Sequence, residues 1–251
     1  MKVLMIGDIY GEPGLNILAS YLPKLKTQYR PHLIIANAEN AANGRGITKK
    51  IYKSLMSMGI HALTMGNHVW ANKELKAFID ESNIARPVNF ADAPGKGYVL
   101  LNFNGQKILI MNVLGRTFMN ANLESPFYAI DNLMSKIEHD VSILDIHAEA
   151  TSEKVALGHY FDGKIDIIYG THTHVQTNDH RTLPQGTFYM SDLGMTGPLN
   201  GVIGVRKDIV IDRFLNGFSS PNVVADGKKQ LNGWFIDTEN HISETIHLES
   251  E

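Results

Sequence analysis

Cysteine is absent from the 251 residues. That excludes disulfides, zinc–thiolate sites and cysteine nucleophiles together. Positive charge is not in excess either: 23 Lys and Arg stand against 26 Asp and Glu, a formal net charge of −3. Strong binding to long nucleic acid is therefore not expected, although local positive charge can still hold a small anion. No apolar run reaches the roughly 18 residues of a membrane span. The opening MKVLMIGDIYGEPG is apolar too briefly for a signal peptide, Asp8 interrupts it, and no small-residue cleavage site follows. Repeats, low-complexity tracts and linkers are missing as well. What remains is 43% hydrophobic and 20% charged, enough to bury a sizeable core. The expectation is a cytoplasmic protein with no membrane partner, 1–251 forming one domain, with homo-oligomerisation open.

The first half alternates β-type runs with helical patterns. VLMIGDI (3–9), HLIIANA (32–38) and HALTMG (61–66) read as strands. Pro13 can open a helix that Pro23 would end or kink. Thr48 can cap a helix over KKIYKSLMSM with Gly59 at its far end, and Asn72 can cap another over KELKAFIDES. YVLLNF and KILIMNVLG flank Asn104-Gly105, a hairpin signal. A helix near YAIDNLMSKIEHD follows, then VSILDIH (141–147), a helix around SEKVALGHYF, and IDIIYG (165–170). GTFYMSD, DIVIDRF, WFIDT and HISETIHLE read as strands. Apolar runs separated by helices imply a sheet covered on both sides. The fold class expected is α/β, with two packed sheets and helices outside.

Five of the apolar runs end in polar clusters: GDIYG (7–11), NAENAANGRG (37–46), GNH (66–68), DIH (145–147) and GTHTH (170–174). In open α/β folds, ligands sit beyond the carboxyl ends of strands. If these strands share one sense, Asp8, Glu39, Asn40, Asn67, His147, His172 and His174 meet. Such a sulfur-free set of oxygens and nitrogens suits Mn, Fe, Co, Ni or Zn better than Ca or Mg. Seven donors exceed one ion's needs, and two ions about 3.5–4 Å apart, bridged by one carboxylate, would use them all. In an extended segment His172 and His174 would share a face while Thr173 points away. Two cations outweigh the two carboxylates, which favours an anionic substrate such as a phosphoester, and they lower the pKa of bound water toward ~7. His68 diverges from its neighbour Asn67 and can face the substrate as a proton donor.

These motifs resemble the calcineurin-like metallophosphoesterase superfamily, and more closely its YmdB-type branch of bacterial phosphodiesterases. The carriers are GDIYGEPG, NAENAANGRGIT, TMGNHVW, DIHAEATSEK and GTHTHVQT, with MSDLGMTGP (190–198) adding to the match. The resemblance implies a two-sheet α/β sandwich of metallophosphoesterase type and a binuclear centre. By that analogy Asp8, Glu39, Asn40 and His174 hold one metal. Glu39, Asn67, His147 and His172 hold the other, and His68 is the acid. It also implies hydrolysis of small phosphodiesters, 2′,3′-cyclic nucleotides foremost. The wider superfamily's Asp-x-His opening is Asp8-Ile9-Tyr10 here, and its Gly-Asp bridging motif is Glu39-Asn40. With fewer nitrogens, Fe or Mn is expected, with Zn as the alternative.

Other readings compete. A regulatory module could hold a nucleotide with little turnover. A metal amidohydrolase would need an early His-x-His on its first strand, where Gly7-Asp8 stands instead. Asp8 could merely cap the next helix. NGRG (43–46) lacks the Gly-Lys-Ser/Thr ending of a phosphate loop, but Arg45, Arg116 and GMTGPLNGVIG can still touch substrate. The remaining histidines, His32, His61, His139, His159, His180, His241 and His247, show no partner pattern and read as structural or exposed.

Overall fold

Val3 and Met5 turn their side chains one way, Leu4 and Ile6 the other, and that alternation builds four layers. A computed structural model describes residues 1–90, 92–119, 123–218 and 220–250. The chain begins with β1 (Lys2–Ile6), β2 (Asp8–Ile9), α1 (Gly11–Tyr29), β3 (Leu33–Asn37), α2 (Lys49–Ser57), β4 (Ala62–Thr64) and β5 (Ile84–Ala85). It continues through β6 (Tyr98–Phe103), β7 (Gln106–Leu114), α3 (Pro126–Met134), β8 (Val141–His147), α4 (Thr151–Tyr160) and β9 (Ile167–Thr171). Last come β10 (Arg181–Thr182), β11 (Phe188–Met190), β12 (Met195–Pro198), α5 (Lys207–Asn216), β13 (Lys229–Asp237) and β14 (Ile242–Glu249).

One sheet runs β2-β12-β13-β1-β3-β4-β5, with β14 paired to β13; the other runs β10-β11-β9-β8-β7-β6. Val3, Met5, Ile35 and Trp234 pack against Ile110, Ile143, Ile167 and Tyr169 between the sheets. Leu4, Ile6 and Ile34 face Leu18 of α1 and Leu55 of α2 on one outer side. Leu109, Met111 and Leu144 face Ile130 of α3 and Leu157 of α4 on the other. The expected α/β two-sheet sandwich with outer helices is the architecture found. Strands β1, β3, β4 and β5 run parallel, as do β7, β8, β9 and β11. Their carboxyl ends therefore lie at one edge of each sheet. No helix among the described residues is long and apolar enough to cross a membrane.

Several local expectations need correction. The first run is not one strand: it breaks at Gly7 into β1, paired with β3 and β13, and β2, paired with β12. Pro23 does not end α1, which runs on to Tyr29 because Leu22 and Leu25 still bury against the sheet. KELKAFIDES forms two 3₁₀ turns, Lys73–Ala77 and Ile79–Glu81, rather than an α-helix. Asn72 does cap the first, accepting from the Glu74 N–H. Leu75 and Phe78 are both buried, a spacing of three that the 3₁₀ geometry aligns. DIVIDRF is helix α5, not a strand. Among its residues only Val210 is buried, so a strand's alternating face has nothing to pack on, and Gly217 at φ 73° ends the helix in the left-handed region.

Candidate metal centre

Two glycines let the polar strand ends approach one another. A Cβ on Gly66 would stand 2.3 Å from both Glu39 Oε2 and His147 Nε2. A Cβ on Gly170 would meet the Ser191 carbonyl oxygen. Both positions sit just before the donors of their motif, so the backbone passes where any side chain would block.

Around His147 Nε2 the donors crowd together. Asn67 Oδ1 lies 3.0 Å away, His172 Nδ1 3.0 Å and Glu39 Oε1 3.1 Å. Glu39, His147 and His172 each offer an atom within 4.8 Å of the others. Glu39 and His147 are fully buried, supplied by the loop after β3 and by the end of β8. Burial pushes the Glu39 carboxyl up, but His147 and His68 outweigh it and hold the group at about 2. Burial opposes charge on His147 too, yet the Glu39 carboxylate raises it to about 9. Burial and the neighbouring His147 drive His172 down to about 3. Each shift is set by burial and by the charge of the neighbouring members of the cluster.

A second group lies alongside. Asp8 is buried, and its Oδ1 has no hydrogen-bond partner among the described residues, with His174 Nε2 3.9 Å away. Burial raises the Asp8 carboxyl against the pull of His174. Asp8 does not cap α1, whose N-cap is Tyr10. The Asn40 amide nitrogen faces Glu39 Oε1 at 3.1 Å and His174 Nε2 at 3.2 Å, while its oxygen lies 2.8 Å from His68 Nδ1. The His68 N–H donates to Glu39 Oε2. All eight residues singled out from the sequence thus occupy one neighbourhood. The unpartnered Asp8 oxygen and the mixed donor set fit metal ions.

The way the two histidines arrive differs from the expectation. Strand β9 stops at Thr171, and His172 and His174 both have positive φ, 103° and 66°. Tight turns, not strand alternation, aim the imidazoles. Thr173 lines the cleft, and its N–H donates to Asp192 Oδ2 beneath the turn.

The cleft over these groups encloses about 470 Å³ and is also lined by Tyr10, Arg45, Glu149, Ile203 and Asn222. Sequence reasoning missed the groups beneath it. Asn37 donates to Met65 O and Asp145 Oδ2, joining the two sheets. Burial lifts Asp145 to about 6. Lys154 and Asp192 form an ion pair at 2.7 Å, both 1% exposed, under the His172–His174 turn. The usable signal was spacing: Asp145 stands two residues before His147 on one face of a strand.

The family described as YmdB-like protein matches residues 4–250. A 2′,3′-cyclic-nucleotide 2′-phosphodiesterase of Bacillus subtilis is 46% identical over 253 residues, covering 99% of this chain and 96% of that protein. A Thermus thermophilus protein of known crystal structure matches with TM-score 0.95 and 39% identity, covering 100% of both chains. A phosphatase of Mycoplasma pneumoniae matches with TM-score 0.93 and 36% identity, covering 99% of this chain and 93% of the other.

Proposed function

The chain belongs to the YmdB-like family, and on that footing we propose a metal-dependent phosphodiesterase that hydrolyses small phosphodiesters, 2′,3′-cyclic nucleotides foremost. The reading assigns one cation to Glu39, Asn67, His147 and His172 and a second to Asp8, Glu39, Asn40 and His174, with Glu39 shared. Fe or Mn suits these oxygens and nitrogens, with Zn as the alternative. The observation that supports it most is the meeting of Glu39, Asn67 and His172 on His147 Nε2. The unpartnered Asp8 oxygen stands beside them.

Bound there, the ions would polarise phosphoryl oxygens and activate water. The chain's own groups do the rest. His68 Nδ1–H donates to Asn40 Oδ1, which leaves Nε2 without a partner among the described residues and able to move a proton at the leaving oxygen. Burial holds the His68 pKa below its ordinary value against the pull of the Glu39 carboxylate. Arg45 puts a cation on the cleft wall for the phosphate.

The test is metal analysis of purified chain with a screen of 2′,3′- and 3′,5′-cyclic nucleotides. The 2′,3′ class is expected to be cleaved, and His68→Ala to keep its metals while kcat drops about 10²–10⁴-fold. Metal-loaded protein that cleaves no cyclic nucleotide and no bis-p-nitrophenyl phosphate would overturn the reading.

A further inference from the structure

Each of the three clustered imidazoles has one nitrogen tied to a group outside the donor set. Thr171 Oγ1 donates to Asp145 Oδ1 at 2.7 Å, so its proton is committed and it accepts from His147 Nδ1–H at 2.8 Å. The Ile203 carbonyl can only accept, so His174 carries its proton on Nδ1, 2.9 Å away. Glu149 Oε2 lies 3.1 Å from His172 Nε2. A carboxylate there fixes the proton on Nε2 and leaves the Nδ1 lone pair for the centre. The unprotonated nitrogens are therefore Nε2 of His147, Nε2 of His174 and Nδ1 of His172; the first and last face each other 3.0 Å apart, and His174 Nε2 accepts from the Asn40 amide.

His172 most needs such a tie. It lies beyond the end of β9 at φ 103°, and its ring has solvent on one side, with 22% of the side chain exposed. His147, by contrast, is enclosed within β8. Glu149 comes off β8 two residues after His147, and β8 lies beside β9 in the sheet, so it reaches across to the neighbouring turn. It is 51% exposed and forms no other hydrogen bond or ion pair among the described residues. An acid on the wall of a cleft for an anionic substrate works against binding unless it acts elsewhere.

We infer that Glu149 is a positioning residue that holds the tautomer and ring orientation of His172, so that Nδ1 serves the cation shared with Glu39, Asn67 and His147. This rests on the metal reading above. Of the three ties it alone is a charged side chain within reach of solvent, the kind of carboxylate partner that orients metal-bound histidines.

The experiment compares wild type, Glu149→Ala and Glu149→Gln for Mn²⁺ binding by chelator competition. The His172 tautomer is followed in metal-free protein by long-range ¹H–¹⁵N NMR. Glu149→Ala is expected to weaken one of two Mn²⁺ sites about 10–100-fold and leave the other unchanged. Glu149→Gln, whose amide oxygen still accepts from Nε2–H, should recover most of that affinity. His172 should be Nε2-protonated in wild type and in Glu149→Gln, and a tautomer mixture in Glu149→Ala. Wild-type affinity at both sites in Glu149→Ala, equal loss at both, or no recovery in Glu149→Gln overturns the inference alone. Wild type that binds none of Mn²⁺, Fe²⁺ and Zn²⁺ overturns the metal reading and the inference with it.

Discussion

The side-chain amide of Asn37, at the end of β3, donates to Asp145 Oδ2 on β8, 3.2 Å away in the opposite sheet. The same nitrogen reaches Met65 O at 3.1 Å, and Asp145 in turn accepts from Thr171. One buried amide thus ties together three of the strand ends that carry the candidate ligands. Asn37→Leu removes the donor and leaves Asp145 Oδ2 and Met65 O without it. Urea unfolding is expected to show a loss of about 1–3 kcal/mol. Unchanged stability would mean the two sheets are held in register by packing alone.

Gly66 is predicted to be intolerant of even one methyl group. The added Cβ would collide with Glu39 Oε2 and His147 Nε2, both side-chain ends that can be pushed aside without moving a strand. Gly66→Ala should therefore keep a wild-type far-UV circular dichroism spectrum while Mn²⁺ content falls. Normal metal content in that variant would contradict the crowding seen here.

The Lys154–Asp192 pair gives a pH-dependent test. Burial pushes Asp192 up, but the Lys154 ammonium and several N–H donors win and hold its carboxyl below the ordinary value. A depressed folded pKa contributes stability that is fully present above the unfolded value of about 3.9 and is lost as pH falls through the folded one. Lys154→Met leaves a buried carboxylate unpaired, at a cost of about 3–5 kcal/mol at neutral pH. The sign then reverses. With its folded pKa raised, Asp192 penalises the variant at neutral pH and less so as pH falls toward 4. Denaturant titrations between pH 4 and 7 should show the stability gap between wild type and variant narrowing on acidification; a constant gap would argue against the pair.

Arg45 sits between Gly44 and Gly46, whose φ values of 88° and 74° belong to the left-handed region. The Gly44 N–H donates to Asn40 O, and Gly46 N–H to Glu39 O, so the turn folds back on two candidate ligands. The Arg45 guanidinium lines the cleft and makes no side-chain hydrogen bond among the described residues. Arg45→Ala should raise KM for an anionic phosphodiester about 10–100-fold with kcat nearly unchanged, the loss of a charge-assisted contact. A fall in kcat at constant KM would place Arg45 in the chemical step instead.

Much of the architecture was legible in the chain because local patterns decide it. The alternation in β1, the Asn104-Gly105 hairpin and the Thr48 cap each follow from neighbours a few residues apart. Misreadings came where distant partners overrule that pattern. DIVIDRF is β-branched enough to suggest a strand, but no sheet edge receives it and it winds into α5. Pro23 should have stopped a helix, yet leucines on either side of it still find a sheet to cover.

The sequence by itself determined which donors exist and that each stands at the end of an apolar run. Residue identity and short-range periodicity carry that much. Only the tertiary structure decided how they meet: positive φ at His172 and His174 turns their rings, and Asn37, Asp145 and Glu149 hold the cluster from outside it. Those supporting contacts join residues about a hundred positions apart or across neighbouring strands, and no local pattern records a hydrogen bond over such a distance.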